Sequence, residues 1–351
     1  MARKALKLGL LIPQEGPAGI WSPSCEASAL LAVAELNTGG GMLGREVDLV
    51  VANTGCTSWS AAEAVSSMID LDRVEGVVAL VTSAARQAVI DAVDGRVPLI
   101  YTPQFEGDEH NPGVVAIGET AIELLKPSTS WLMEEKRASR FFLVGNDYLW
   151  PQRSMPRARR LIANAGGSVV GEAMVPFGVI DHERLLKQIA RARPDVVAMW
   201  LLGHEAVIFN RAFVDHGLDR KILRFSTAIE ETILLGIGAH CTENLYVASG
   251  YFSNIRSRNN DAFLDRYHHY FGISPPPANS FGESIYEGFH CLSGLSEAAG
   301  SLHSKDLRDK VGRAAQSHTA RGVERQFLAG TQHPVHIAAA DGHEFRLIAM
   351  R

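Results

Sequence analysis

The chain has 351 residues, and hydrophobic cores stop growing near ~250–300 residues, so two domains are expected rather than one. Apolar residues make up 46% and charged residues 21%, a globular balance that excludes a mainly disordered chain. Thirty-four basic against 39 acidic residues leave a net charge of −5, which argues against a nucleic-acid-binding surface as the main function.

Short apolar runs alternate with helical patterns from the start of the chain. Residues 6–13 read as a buried strand and 26–37 as a helix stopped by Gly39-Gly40-Gly41. Strand 46–53 is followed by helix 60–72, strand 74–81 by helix 84–94, and strands 97–101 and 114–118 close the first half. The second half repeats the pattern. It has strand 140–145, helix 154–165, strand 168–175, helix 183–193, strand 195–202, a helix near 206–216, and strands 222–226 and 245–250. Continuous apolar strands between helices signal parallel sheets covered on both faces. After 250 the pattern changes to helices over 258–271, 283–299 and 304–317, then short strands within 326–333, 335–340 and 344–350. That tail is too short for a third domain, so it is expected to complete both units. The reading is α/β, with two doubly wound Rossmann-like lobes: 1–120 with 251–325, and 121–250 with 326–351, joined by three crossover segments.

Several chemistries lack their motifs. No G-x-G-x-x-G follows the first strand, where Pro13-Gln14-Glu15-Gly16-Pro17 stands, and there is no G-x-x-x-x-G-K-[ST], so no nucleotide cofactor is expected. There is no nucleophile elbow G-x-S-x-G, and no Ser/His/acid cluster falls within the strand-end loops; the chain does not read as an enzyme. The 13 histidines show no chelating spacing, and the adjacent His268 and His269 diverge by about 100° on a helix, so no metal is expected. Cys25, Cys56, Cys241 and Cys291 have no CxxC spacing. Cys25 and Cys56 both follow early strands, which leaves a bridge between them open. No apolar run reaches the ~18 residues of a membrane span, so no direct insertion is expected. The first residues lack an apolar export region with a small-residue cleavage site. Together with the lone thiols, this favours a cytoplasmic location, with a periplasmic one as the alternative.

Polar and aromatic residues gather just after strands. Trp21 and Ser22 follow the first, Thr82 and Ser83 the third, and Tyr101 to Gly107 the fourth; Asn146 to Pro151, Gly203 to Glu205 and Thr227 to Glu231 belong to the second half. Ligands of open α/β sheets bind at the carboxyl ends of strands, so these loops predict a small-molecule cleft. Ser83 is expected to open a helix, whose free N–H groups and positive dipole end suit a carbonyl or carboxylate oxygen.

At these loops the sequence resembles the type I periplasmic-binding-protein fold, and within it the short-chain amide sensors, urea-binding proteins and branched-chain amino-acid binders. The resemblance covers about residues 6–350. It rests on Ala29 to Asn37, on Gly41-Met42-Leu43-Gly44-Arg45, and on Tyr101-Thr102-Pro103-Gln104-Phe105-Glu106-Gly107. It rests also on Val144 to Pro151, on Arg193 to Val197 and on Ser226 to Glu231. The resemblance implies ligand contacts from Ser83, Tyr101, Gln104 and Tyr148, with Glu230 as an acidic contact; Thr82, Trp21, Asp147 and Trp150 complete the candidate set. Val81, Trp200 and Leu202 depart from the family pattern and allow a more apolar ligand.

The implied function is a non-catalytic binder of a short-chain amide, urea or similar small polar solute, closing by hinge motion and signalling to a regulator protein. The alternative is the substrate-binding component of an ABC importer, partnered by its permease and carrying branched-chain amino acids, urea or amides. An amino acid would need donors for its carboxylate, which Ser83 and the helix N–H groups could supply, and an acid for its ammonium, from Glu230 or Asp147.

Overall fold

The computed structural model describes residues 4–312, 319–321 and 334–351. The chain divides into two compact units, one drawn from 1–104, 108–118 and 255–332, the other from 105–107, 119–254 and 333–351.

Unit 1 is built on β1 (Leu6–Ile12), α1 (Ser22–Thr38), β2 (Val47–Asn53), α2 (Ser58–Ser67), β3 (Gly76–Ala79), α3 (Ser83–Val93), β4 (Leu99–Tyr101) and β5 (Val114–Ala116). Its five strands are ordered β2-β1-β3-β4-β5 and all pair parallel. The apolar run of β1 is buried almost throughout because strands flank it on both sides.

Unit 2 follows with α4 (Ala121–Glu135), β6 (Arg140–Asn146), α5 (Leu149–Asn164), β7 (Ser168–Val175), α6 (Glu183–Ala192), β8 (Val196–Trp200), α7 (His204–Asp215), β9 (Leu223–Ser226), α8 (Glu231–Ile237) and β10 (Leu245–Ser249). The chain then returns to unit 1 with α9 (Arg258–Phe271), α10 (Ser280–Ala299) and α11 (Ser304–Arg308). The antiparallel hairpin β11 (His336–Asp341) and β12 (Glu344–Met350) belongs to unit 2, whose sheet runs β12-β11-β10-β9-β8-β6-β7.

Helix α10 is the central column of unit 1 and lies against α1 at short range. A Cβ added at Gly282 would stand 2.8 Å from both the Ser24 carbonyl oxygen and the Ser28 hydroxyl, so this crossing admits only glycine. Glu35 of α1 ties the column to α9. It accepts from Arg266 Nε at 2.7 Å and from the Tyr286 hydroxyl at 2.5 Å, and His290 Nε2 lies 3.3 Å away. These donors outweigh the effect of burial and pull the Glu35 carboxyl down to about 2.

Several elements differ from the sequence reading. Helix α1 starts at Ser22 rather than 26 because Pro23 is accommodated in its first turn, where a missing N–H costs nothing. The pattern over 60–72 is an α-helix followed by a π-turn over Met68–Asp72, ended at left-handed Arg73. Helices α4 and α8 were not anticipated. The expected helix 304–317 is helical over Ser304–Arg308, and 313–318 lie outside the described residues, as does the expected strand 326–333. All four cysteines are free thiols, so the bridge left open between Cys25 and Cys56 is not formed.

Candidate functional site

In unit 1 the candidate residues gather at the carboxyl ends of neighbouring strands. Strands β3 and β4 pair so that Ala79 stands beside Tyr101. Beyond β3, Thr82 caps α3, with its side chain accepting from Ala85 N at 3.4 Å, and Ser83 is the first helical residue. Ser83 thus opens the helix as expected, with the cap supplied by the residue before it. Because Thr82 does the capping, the buried Ser83 hydroxyl is left for other partners, beside the uncapped N–H groups of the first turn. The Tyr101 hydroxyl donates to the Val81 carbonyl at 3.1 Å and links the two loops, while the Arg86 guanidinium lies over its ring at 5.2 Å. Gln104 follows three residues on and is half-buried. Trp21 is buried against Phe281 of α10, centroids 4.0 Å apart, which gives it a packing role.

In unit 2 the corresponding end of the sheet is organised by a residue outside the candidate set. The buried Asn146 side chain accepts from Leu202 N at 2.8 Å and reaches the Val175 carbonyl, so it ties together the ends of β6, β7 and β8. A polar residue at the last position of an apolar strand was its only signal. Asp147 is exposed and accepts from Gln152 Nε2 at 3.0 Å. Tyr148 is half-buried, its ring centroid 5.3 Å from that of Phe177 and 6.4 Å from that of Trp150. Trp150 itself belongs to the apolar core of the unit with Phe141, Leu143, Met155 and Trp200. The unusual Trp200 is thus a core residue too.

The two acids after β9 divide their roles in a way the sequence did not disclose. Both oxygens of Glu230 are taken by the first turn of α8, accepting from Thr232 N at 2.7 Å and from Ile233 N at 3.0 Å. Glu231 is buried and accepts from Ser253 N at 2.7 Å through Oε1; among the described residues its Oε2 has no hydrogen-bond partner. Burial, reinforced by the neighbouring Glu230 charge, pushes the Glu231 carboxyl up to about 7. Two further buried titratable groups belong to the same unit. Glu205, in the first turn of α7, accepts from Gly178 N at 3.1 Å, and His182 packs edge-on against Phe209. Burial moves the His182 imidazole below its ordinary value, against the pull of Glu205 and Asp181.

Unit 1 therefore offers a hydroxyl and helix N–H donors suited to an anionic or carbonyl oxygen, and unit 2 a buried carboxyl with spare accepting capacity. Among the described residues no cluster is placed to hold a metal ion. In each unit these groups lie near strand ends, where ligands of open α/β sheets bind.

Comparison with known proteins agrees. A family model described as periplasmic binding protein matches residues 5–340. The chain is 26% identical over 203 residues to a Leu/Ile/Val-binding protein of Rhizobium johnstonii, covering 56% of this chain and 54% of that one. It is 29% identical over 109 residues to a leucine-, isoleucine-, valine-, threonine- and alanine-binding protein of Pseudomonas aeruginosa, 31% of this chain and 29% of that one. The alignments thus span about half, or less, of these curated relatives. Among solved structures, a leucine binding protein of Thermotoga maritima superposes with a TM-score of 0.86 at 16% identity, covering 99% of this chain and 98% of that one. An ABC-transporter solute-binding protein of Rhodopseudomonas palustris, in complex with p-hydroxybenzoic acid, superposes with a TM-score of 0.87 at 18% identity, covering 99% and 97%.

The architecture is that of a two-lobe type I solute-binding protein. The chain belongs to the periplasmic binding protein family, whose members bind solutes and are not enzymes. Membership overturns the expected cytoplasmic location, because this is a family of periplasmic proteins. The lone thiols misled: Cys25, Cys241 and Cys291 are buried, and a thiol shielded by packing does not report its compartment. The curated relatives are named as amino-acid-binding proteins and the Rhodopseudomonas structure as the solute-binding protein of an ABC transporter, which favours the importer reading over the sensor.

Proposed function

We propose that this protein is the periplasmic substrate-binding component of an ABC importer and that its solute is an aliphatic amino acid. One observation carries the choice of solute. Glu231 is a buried carboxyl whose Oε2 has no hydrogen-bond partner among the described residues. A neutral amide or urea brings no charge to compensate a buried carboxylate, whereas an ammonium does. Within unit 1, the Ser83 hydroxyl and the N-terminus of α3 suit a carboxylate, a group that amino acids carry. The relatives that bind leucine, isoleucine and valine support the same class. Closure by hinge motion on the ligand is part of this reading, and a ligand-induced fall in radius of gyration by small-angle scattering is its expected sign.

The test is a thermal-shift and calorimetric panel of L-leucine, L-isoleucine, L-valine, acetamide, urea and benzoate. Aliphatic amino acids should stabilise the protein by about 2.7 kcal/mol when present at ~100 Kd, and the Glu231→Gln variant should lose most of that effect. Stabilisation by amides, urea or benzoate alone would overturn the assignment of solute.

A further inference from the structure

The loop between β7 and α6 carries features that folding alone does not account for. It places Phe177, 43% exposed, against the half-buried Tyr148, ring centroids 5.3 Å apart and planes at 47°. The next residue, Gly178, turns the chain at φ +81°, a conformation that favours glycine. Its N–H is held by Oε1 of Glu205, 3.1 Å away. Glu205 is only 5% exposed, and among the described residues its Oε2 has no hydrogen-bond partner. Burying a carboxylate is costly. This one sits in the first turn of α7, where the helix dipole offsets part of the cost. The only hydrogen bond its carboxylate makes among the described residues reaches out to fix this loop. At the foot of the loop, His182 is packed on Phe209, with neither ring nitrogen hydrogen-bonded among the described residues, so the loop is anchored at its end as well as at its turn.

Resting on the solute class proposed above, we infer that Phe177 is a specificity-determining residue. It walls the apolar side chain of the bound amino acid beside Tyr148, and Glu205 is its positioning residue, acting through the Gly178 N–H. The chemistry is simple. An exposed ring held over a second ring presents an apolar face that rewards each added methylene of the solute, and small solutes do not reach it.

The experiment compares L-leucine with L-alanine by calorimetry on the full chain. Phe177→Ala should weaken leucine binding about tenfold, the scale of one or two methylenes in an apolar pocket, and leave alanine within about twofold. Phe177 is exposed, so the ligand-free melting temperature should not move. Glu205→Ala should reproduce the loss of leucine preference. Glu205→Gln should restore it, because the amide oxygen still accepts from Gly178 N–H. Equal effects of Phe177→Ala on both solutes, or none on either, would overturn the inference, and so would a Glu205→Gln variant no better than Glu205→Ala. Wild-type protein that binds neither amino acid would instead overturn the proposed solute class, and this inference with it.

Discussion

At Glu231 burial raises the carboxyl from an ordinary value to about 7, so the folded state holds its proton more tightly than the unfolded chain does. The stabilising contribution is full below about 4.5 and is lost as pH rises through about 7. Glu231→Gln should therefore be more stable than the wild type at pH 8, by roughly 3 kcal/mol at ~1.36 kcal/mol per unit, and the advantage should vanish toward pH 4.5. Urea unfolding of ligand-free protein at both pH values measures this, and equal advantages at the two would refute it. His182 has the opposite sign, since a depressed imidazole loses stability as pH falls below its ordinary 6.5, so the comparison must be made variant against wild type. At this scale the sequence was informative about residue type and silent about role. Ser226 to Glu231 offered two adjacent acids, and Glu230 was the one anticipated. Which of the two caps the helix and which stays spare depends on where α8 begins, a matter of one residue.

Among the elements, α4 shows a signal present in the sequence and overlooked. Thr120 accepts from Glu123 N while Glu123 Oε2 accepts from Thr120 N at 2.6 Å, a capping box written as T-x-x-E. Pro127 hid the helix, because proline removes an intrahelical donor and clashes with the preceding turn. The helix forms regardless, with Leu124, Leu125, Trp131 and Leu132 buried in the core of unit 2. Burial of that stripe outweighs one lost hydrogen bond. Since the internal proline leaves the helix little margin, Thr120→Ala should cost about 1 kcal/mol in unfolding experiments, within the ~0.5–2 range of cap removals. An unchanged midpoint would show that packing alone sets the start of α4. Elsewhere the boundaries were legible where apolar periodicity was clean: α9 spans Arg258–Phe271 and β12 spans Glu344–Met350, as read.

For the molecule as a whole, the two units should answer pH differently. Unit 1 contains Glu35, held down to about 2 by Arg266, Tyr286 and His290 against the effect of burial. Its contribution is present above about 4.5 and is lost as pH falls through about 2. Acidification from pH 5 to pH 3 should therefore release hydrogen-exchange protection in α1, α9 and α10 before it does so in β6 and β8 of unit 2. Simultaneous loss would mean that Glu35 does not govern the acid stability of its unit. By itself the sequence determined the α/β class, the order of most strands and helices, and the family, because apolar runs bounded by loop residues carry that information locally. It also placed Ser83 and Tyr148 just after strands, since the ends of apolar runs are legible, whereas Tyr101, expected in the loop after the fourth strand, is the last residue of β4. Only the tertiary structure decided that Trp150 and Trp21 are buried in packing contacts, that Glu230 caps its own helix while Glu231 is buried with an oxygen unpartnered among the described residues, and that Asn146 and Glu205 hold the strand-end loops. The physical reason is that burial and hydrogen-bond partnership depend on residues distant in the chain. Leu202 meets Asn146 and Gly178 meets Glu205 only when the sheet of unit 2 has formed.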